Sequence, residues 1–268
     1  MWHTLYISWS LLVMVFKRRL QYRGDLLIQS LDELLRGAVA IIMLQVYVSR
    51  TQSIAGWGAD ELLFILGFAM VPLALFHCLC GNLYQLSSHY LIQGNFDRVL
   101  LRPMPTFVQV CSDRIAVEDL SGAALGIAVM AYAVSQGAVS DVSLPMLGLL
   151  LIMVLSSFFI VVAVFMLFAA TSFWFEDRVG MVPPVYNLME FGRWPLAIYH
   201  WSVQLLITVL IPFAFTAFYP ASFFLEGPDQ HSPGWWYALA TPLVAIVALS
   251  VAIMVWNMGV RRYHSTGN

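Results

Sequence analysis

Four residues in one stretch have the side chains to bind a metal: His77, Cys78, Cys80 and, further on, His89. His77 and Cys80 are three apart and share a helical face, but a firm zinc site needs four ligands, so others would have to join them. Helix packing with a hydrogen-bonded histidine is the alternative. Glu118 and Asp119 form a second candidate site, because ionisable groups near the start of an apolar stretch point to function. Arg114 lies one turn before Glu118, so an interfacial structural role competes with contact to a substrate or proton. No row of buried carboxylates or arginines suits a proton relay or voltage sensor. The phosphate-cradling pattern G-x-x-x-x-G-K-[ST] is missing, and the single lysine, Lys17, precedes Arg18. H-E-x-x-H and G-x-S-x-G are missing too. The expectation is therefore a chain with no catalytic residue, metal or cofactor of its own.

Composition says what must hold these residues in place. The chain has 268 residues, of which 60% are apolar and 10% charged, and its mean hydropathy is +0.80. Soluble domains carry about a quarter charged residues, so this chain could not cover itself in water. A formal net charge of −2 gives no reason to expect nucleic acid. The three cysteines Cys78, Cys80 and Cys111 lie in or beside apolar stretches and make no disulfide framework.

A bilayer core about 30 Å thick takes roughly 20 helical residues. Six segments qualify as spans: 31–48, 62–83, 115–134, 145–174, 201–219 and 237–258. They form an all-α membrane bundle over 31–258, in a single transmembrane domain of 1–268. Residues 1–16 are apolar, but Lys17-Arg18-Arg19 follows them, the wrong order for a signal peptide. Trp2, Leu5, Trp9, Leu12, Phe16 and Leu20 recur every three or four residues, which predicts an interfacial helix over 1–20. A short stub of a span is the alternative.

With both termini in the cytosol, twelve basic residues fall inside: Lys17, Arg18, Arg19, Arg23, Arg36, Arg98, Arg102, Arg114, Arg178, Arg193, Arg261 and Arg262. Only Arg50 falls outside, while Glu226 and Asp229 sit in an outer connection. The positive-inside rule favours this orientation. Within the third span, Ser121-Gly122-Ala-Ala-Leu-Gly126 is a small-xxx-small pattern. It serves close helix packing inside the subunit or between subunits. Pro183-Pro184 should break the chain after the fourth span, leaving 185–199 as a cytoplasmic or interfacial piece. Pro212 should kink the fifth.

The cytoplasmic connection over 84–114 contains GNFDRVLLRP at 94–103. Phe96, Val99, Leu100 and Pro103 fall at i, i+3, i+4 and i+7, which predicts a short helix with one apolar face. Arg98 and Arg102 share another face. Such a helix suits docking to a soluble partner or lying on the lipid surface.

GNFDRVLLRP resembles the G-x-[LF]-D-x-x-L-[LV]-R-P loop of the type-2 ABC transporter permeases. Phe173-Trp174-Phe175, the run Arg193-Trp-Pro-Leu-Ala-Ile-Tyr199, Ile211-Pro-Phe-Ala-Phe215 and Tyr219-Pro-Ala follow in the family's order. The chain then ends like the family's W-x-x-G-x-x-x-Y-x-S-x-G, with Trp256, Gly259, Tyr263, Ser265 and Gly267. Val185-Tyr186-Asn187 departs from it where Tyr-Pro is common. The resemblance implies the membrane subunit of a bacterial inner-membrane exporter that pairs with a second permease, identical or related, and engages two ABC ATPases carrying the ATP and magnesium. Its coupling loop would contact the ATPase through Phe96, Val99 and Leu100, oriented by Asp97, Arg98 and Arg102. By the same likeness the second and fifth spans would line the permease dimer. The aromatic, weakly charged spans fit an amphipathic or apolar cargo. The rival readings are an ATPase-independent secondary transporter or channel and a membrane-embedded enzyme.

Overall fold

The computed structural model describes residues 23–139, 142–175, 182–225 and 235–264. The interfacial helix expected over 1–20 lies outside the described residues, together with Lys17, Arg18, Arg19, Arg178, Glu226, Asp229, Ser265 and Gly267.

Helix α1 (Arg23–Thr51) enters a turn whose Gln52 and Ala55 have φ of 65° and 52°. Helix α2 (Ala59–Cys80) starts where the Gly58 N–H donates to the Glu61 carboxylate at 2.7 Å, which satisfies a donor that the helix itself leaves open. α2 then runs on through a 3-10 turn (Gly81–Gln85) and a π turn (Leu86–Leu91). Two short helices follow, α3 (Phe96–Leu100) and α4 (Thr106–Ser112). Next come α5 (Leu120–Ser135) and α6 (Leu144–Ala170), the second with Pro145 in its first turn, where a missing N–H costs nothing. After α7 (Val182–Met189) and α8 (Trp201–Leu205), the chain folds inward through α9 (Phe218–Ser222) and ends in α10 (Trp235–Arg262). Among the described residues there is no strand, only one isolated bridge between Ile54 and Trp57.

Four helical runs are long and apolar enough to cross a membrane: Ala59–Leu91, Val117–Ser135, Leu144–Phe173 and Trp235–Arg262. They coincide with the second, third, fourth and sixth predicted spans. Burial ranks them. The most apolar stretch of Ala59–Leu91 is 72% buried and that of Trp235–Arg262 only 22%, so α2 is the central post and α10 a peripheral one. The first predicted span lies in α1, whose first half carries Asp25, Asp32, Glu33 and Arg36 and whose residues 37–49 carry no charge.

The fifth predicted span takes another form. Helix α8 and a π turn (Leu206–Leu210) end at Ile211, which is extended, and Pro212 turns the chain. Residues 213–222 are then buried, with the Phe215 carbonyl accepting a hydrogen bond from Ser157 Oγ at 3.2 Å. Non-helical backbone is tolerated at membrane depth only where protein covers it, as it does here. Pro212 thus breaks the segment where only a kink was expected. Pro183 and Pro184 also act differently from expectation: they sit in the first turn of α7 and open that helix.

The small-residue pattern packs within the subunit. A Cβ at Gly126 of α5 would stand 2.7 Å from the Gly67 carbonyl oxygen of α2, and one at Gly122 would meet the Glu33 carboxylate of α1 at the same distance. Such backbone approach drives helix association in lipid, where apolar burial against apolar tails supplies little. Gly126→Val must force α2 and α5 apart, at about 1–3 kcal/mol. Gly148→Ala, inside α6 with nothing within 4 Å of the added Cβ, should not destabilise and should gain up to about 1 kcal/mol. Unfolding of the purified protein in sodium dodecyl sulfate measures both. Equal stability of the two variants would remove this contact from the account.

Candidate functional site

The loop after α2 is the most specified part of the chain. Gly94 has φ of +72°, a left-handed conformation that glycine adopts without strain, and it aims the backbone into α3. Phe96 is then fully buried. Its ring meets Phe173 edge-on at 5.3 Å and Tyr263 at 5.0 Å. Trp256 lies against Phe173 at 5.5 Å and Phe107 at 5.4 Å, and its indole N–H donates to Thr106 Oγ1 at 2.9 Å. Three separate sequence motifs therefore meet at one point: the loop through Phe96, the end of α6 through Phe173, and the end of α10 through Trp256 and Tyr263. Edge-to-face aromatic pairs each add about 0.5–1.5 kcal/mol beyond their burial.

Polar contacts fix the other side of the loop. The Asn82 amide donates to Tyr90 Oη at 2.8 Å and to the Val110 carbonyl at 2.6 Å. Tyr90 Oη in turn donates to Asp113 Oδ2 at 2.6 Å. Arg102 approaches the other Asp113 oxygen at 3.9 Å, but both side chains are about half exposed, so this pair adds little. Gln109 Nε2 donates to the Met104 carbonyl at 2.7 Å. Burial, and then the Asp97 carboxylate beside it, push the Tyr263 phenol up to about 12. Tyr263 therefore stays a neutral donor facing Asp97 at any physiological pH.

The six residues expected to face an ATPase divide by this geometry. Phe96 and Val99 are covered by the chain itself, which corrects their assignment to a partner surface. Asp97 is half-buried and faces Tyr263. Arg98 and Arg102 are exposed, and so is Leu100, at 45%. Leu101 was passed over in the sequence, since it lies off the i, i+3, i+4 stripe, yet it is the most exposed apolar residue of the loop at 84%. Two adjacent leucines flanked by two arginines thus project from a loop locked on its other face.

The other candidates are placed as follows. His77 sits among the Phe76, Tyr84 and Tyr186 rings, at centroid distances of 5.7, 6.1 and 5.7 Å. Cys78, Cys80 and Cys111 are buried and free, and a hydrogen bond with Cys80, together with burial, holds the Cys111 thiol well above its usual pKa. His89 hydrogen-bonds Gln93 at 3.0 Å. Among the described residues no three His, Cys, Asp or Glu side chains gather closely enough to share a metal ion. Glu118 is buried, and Asp119 lines a cavity of about 280 Å³ with Arg36, His77, Asn82, Gln85 and Arg114.

Arg193 is displaced from its expected place in a cytoplasmic connection. It shares a cavity with Leu62 and Leu66, three and seven residues after the start of α2. The loop with Arg98 and Arg102 follows the opposite end of that helix. The 3-10 turn Glu190–Arg193 that follows α7 packs against residues 213–216 and against α2, which places Arg193 there.

A model of the family described as ABC-2 family transporter protein matches residues 34–267. No curated protein matches the chain, and no solved structure does.

Proposed function

We propose, from the premise that this chain belongs to the ABC-2 transporter family, that it moves an amphipathic or apolar substrate outward across a bacterial inner membrane. The chain is the multi-pass membrane subunit of an ABC transporter, a class that works with ATPase subunits. In our reading the ATP and magnesium lie wholly on those subunits, and the chain forms one permease domain that pairs with a second permease. Both termini and the α3 loop face the cytosol, and Leu100, Leu101, Arg98 and Arg102 seat in the ATPase.

The observation that carries this reading is the two-sided loop. Its inner face is fixed to the ends of α6 and α10 through Phe96, and its outer face leaves a large apolar residue exposed between arginines. A docked ATPase that shifts α3 therefore drags the ends of two long helices with it. Interfaces of this kind switch between packings because cores are close-packed and do not deform continuously.

Leu101→Cys provides the test, since the three native cysteines are buried and give a quiet background. A membrane-impermeant maleimide should label this variant in inside-out vesicles and leave it unlabelled in intact cells. Labelling from outside would overturn the orientation, and docking to a cytosolic ATPase with it.

A further inference from the structure

Arg193 is the charge least expected where the structure puts it. Its side chain is mostly buried, beside α1 and the first third of α2, and its guanidinium pairs with Glu190. The pair engages Nη2. Arg193 Nε–H is buried and has no acceptor among the described residues. A guanidinium presents five N–H donors in a fixed plane, and one left without a partner in apolar surroundings is costly. Charges within a membrane bundle are rare for the same reason and mark sites of function.

The space around it has a definite character. Ala40, Met43 and Leu44 of α1, Leu62 and Leu66 of α2, and Trp194 line a cavity of about 150 Å³ in which Arg193 is the sole charged residue. Neighbouring α1 residues Ile42, Met43 and Val46 are more than half exposed, so this flank of the cavity opens toward lipid. An apolar slot reached from the bilayer, with one donor fork in its wall, fits an acyl chain bearing an anionic head. Carboxylates and phosphates both match the guanidinium plane.

We infer that Arg193 and the apolar cavity between α1 and α2 form a binding site for an acyl chain with an anionic headgroup. The inference rests on the proposed transport function only in calling this occupant cargo. The headgroup accepts from the unpartnered Nε–H of Arg193, sharing the guanidinium with Glu190 on Nη2, and the chain lies against Met43, Leu62 and Leu66. A fatty-acid carboxylate and a phospholipid phosphate share this chemistry.

Photocrosslinking to the purified permease in nanodiscs tests the site without ATPase or ATP. The probes are diazirine-labelled palmitate, its methyl ester, and diazirine-labelled phosphatidylglycerol, with adducts mapped by peptide. One of the two anions should mark the peptides holding residues 40–44 or 62–66, and the stronger identifies the headgroup source. Arg193→Gln should cut that labelling at least tenfold, and Arg193→Lys should retain part of it. Glu190→Gln, which frees the fork of its competing carboxylate, should raise it severalfold. Glu190→Gln and Arg193→Lys keep the test decisive if Arg193→Gln fails to fold. Equal labelling by the methyl ester, or labelling that ignores all three substitutions, overturns the site while leaving the ATPase-coupled reading untouched. Loss of ATPase coupling with labelling intact does the reverse.

Discussion

Leu101→Asp abolishes stimulation of ATP hydrolysis in the assembled complex, by tenfold or more, while the permease stays inserted and as stable as its parent. Leu101 is 84% exposed, so the free subunit loses almost no packing. In the complex the same position would bury a carboxylate among apolar groups. Central interface residues cost about 2–4 kcal/mol when disrupted, and every 1.4 kcal/mol is about tenfold in affinity. Arg102→Glu acts in the same direction by reversing charge at the rim. Its own contact with Asp113, at 3.9 Å and half exposed, is too weak for its loss to unfold the loop. The measurement is ATPase activity of the reconstituted complex, beside a melting curve of the permease alone. Full stimulation in Leu101→Asp would remove the docking role from this loop.

Phe96→Ala, four and five residues from these exposed leucines, behaves in the opposite way: the permease alone loses about 3–5 kcal/mol. Phe96 is fully buried, and its ring holds the loop against Phe173 and Tyr263. Removing it opens a cavity where α3, the end of α6 and the end of α10 meet. Surrounding backbone is tied by Asn82 to Val110 and by Tyr90 to Asp113, so it cannot collapse to fill the hole. Phe96→Leu should recover about half of the loss by refilling volume. Denaturant unfolding in detergent gives the number, and a loss below about 1 kcal/mol would mean that the aromatic cluster does not anchor the loop. A difference in kind is expected within one short loop: change at Leu101 removes coupling and spares stability, and change at Phe96 removes stability first.

Some of this was legible in the residues. The motifs carrying Phe96, Phe173 and Trp256 were readable as three local strings, and they prove to be three parts of one cluster. The apolar stripe of α3 was readable from its spacing, and a kink at Pro212 from the proline itself, though not the full break that the structure shows. Two readings failed for one reason. The stripe through Phe96 and Val99 was assigned to a partner, and Arg193 to a water-facing connection, because spacing tells which side of a helix is apolar and not what lies across from it.

By itself the sequence determined the solvent: with 10% charged residues, this chain has to meet a bilayer. It also determined the all-helical class, because only internally bonded backbone can span lipid as separate segments. Only the tertiary structure decided what covers each apolar face and how deep each charge lies. Those outcomes depend on pairs such as Trp256 and Thr106, 150 residues apart. A contact between distant segments is a property of the two together, and local periodicity in either one carries no record of it.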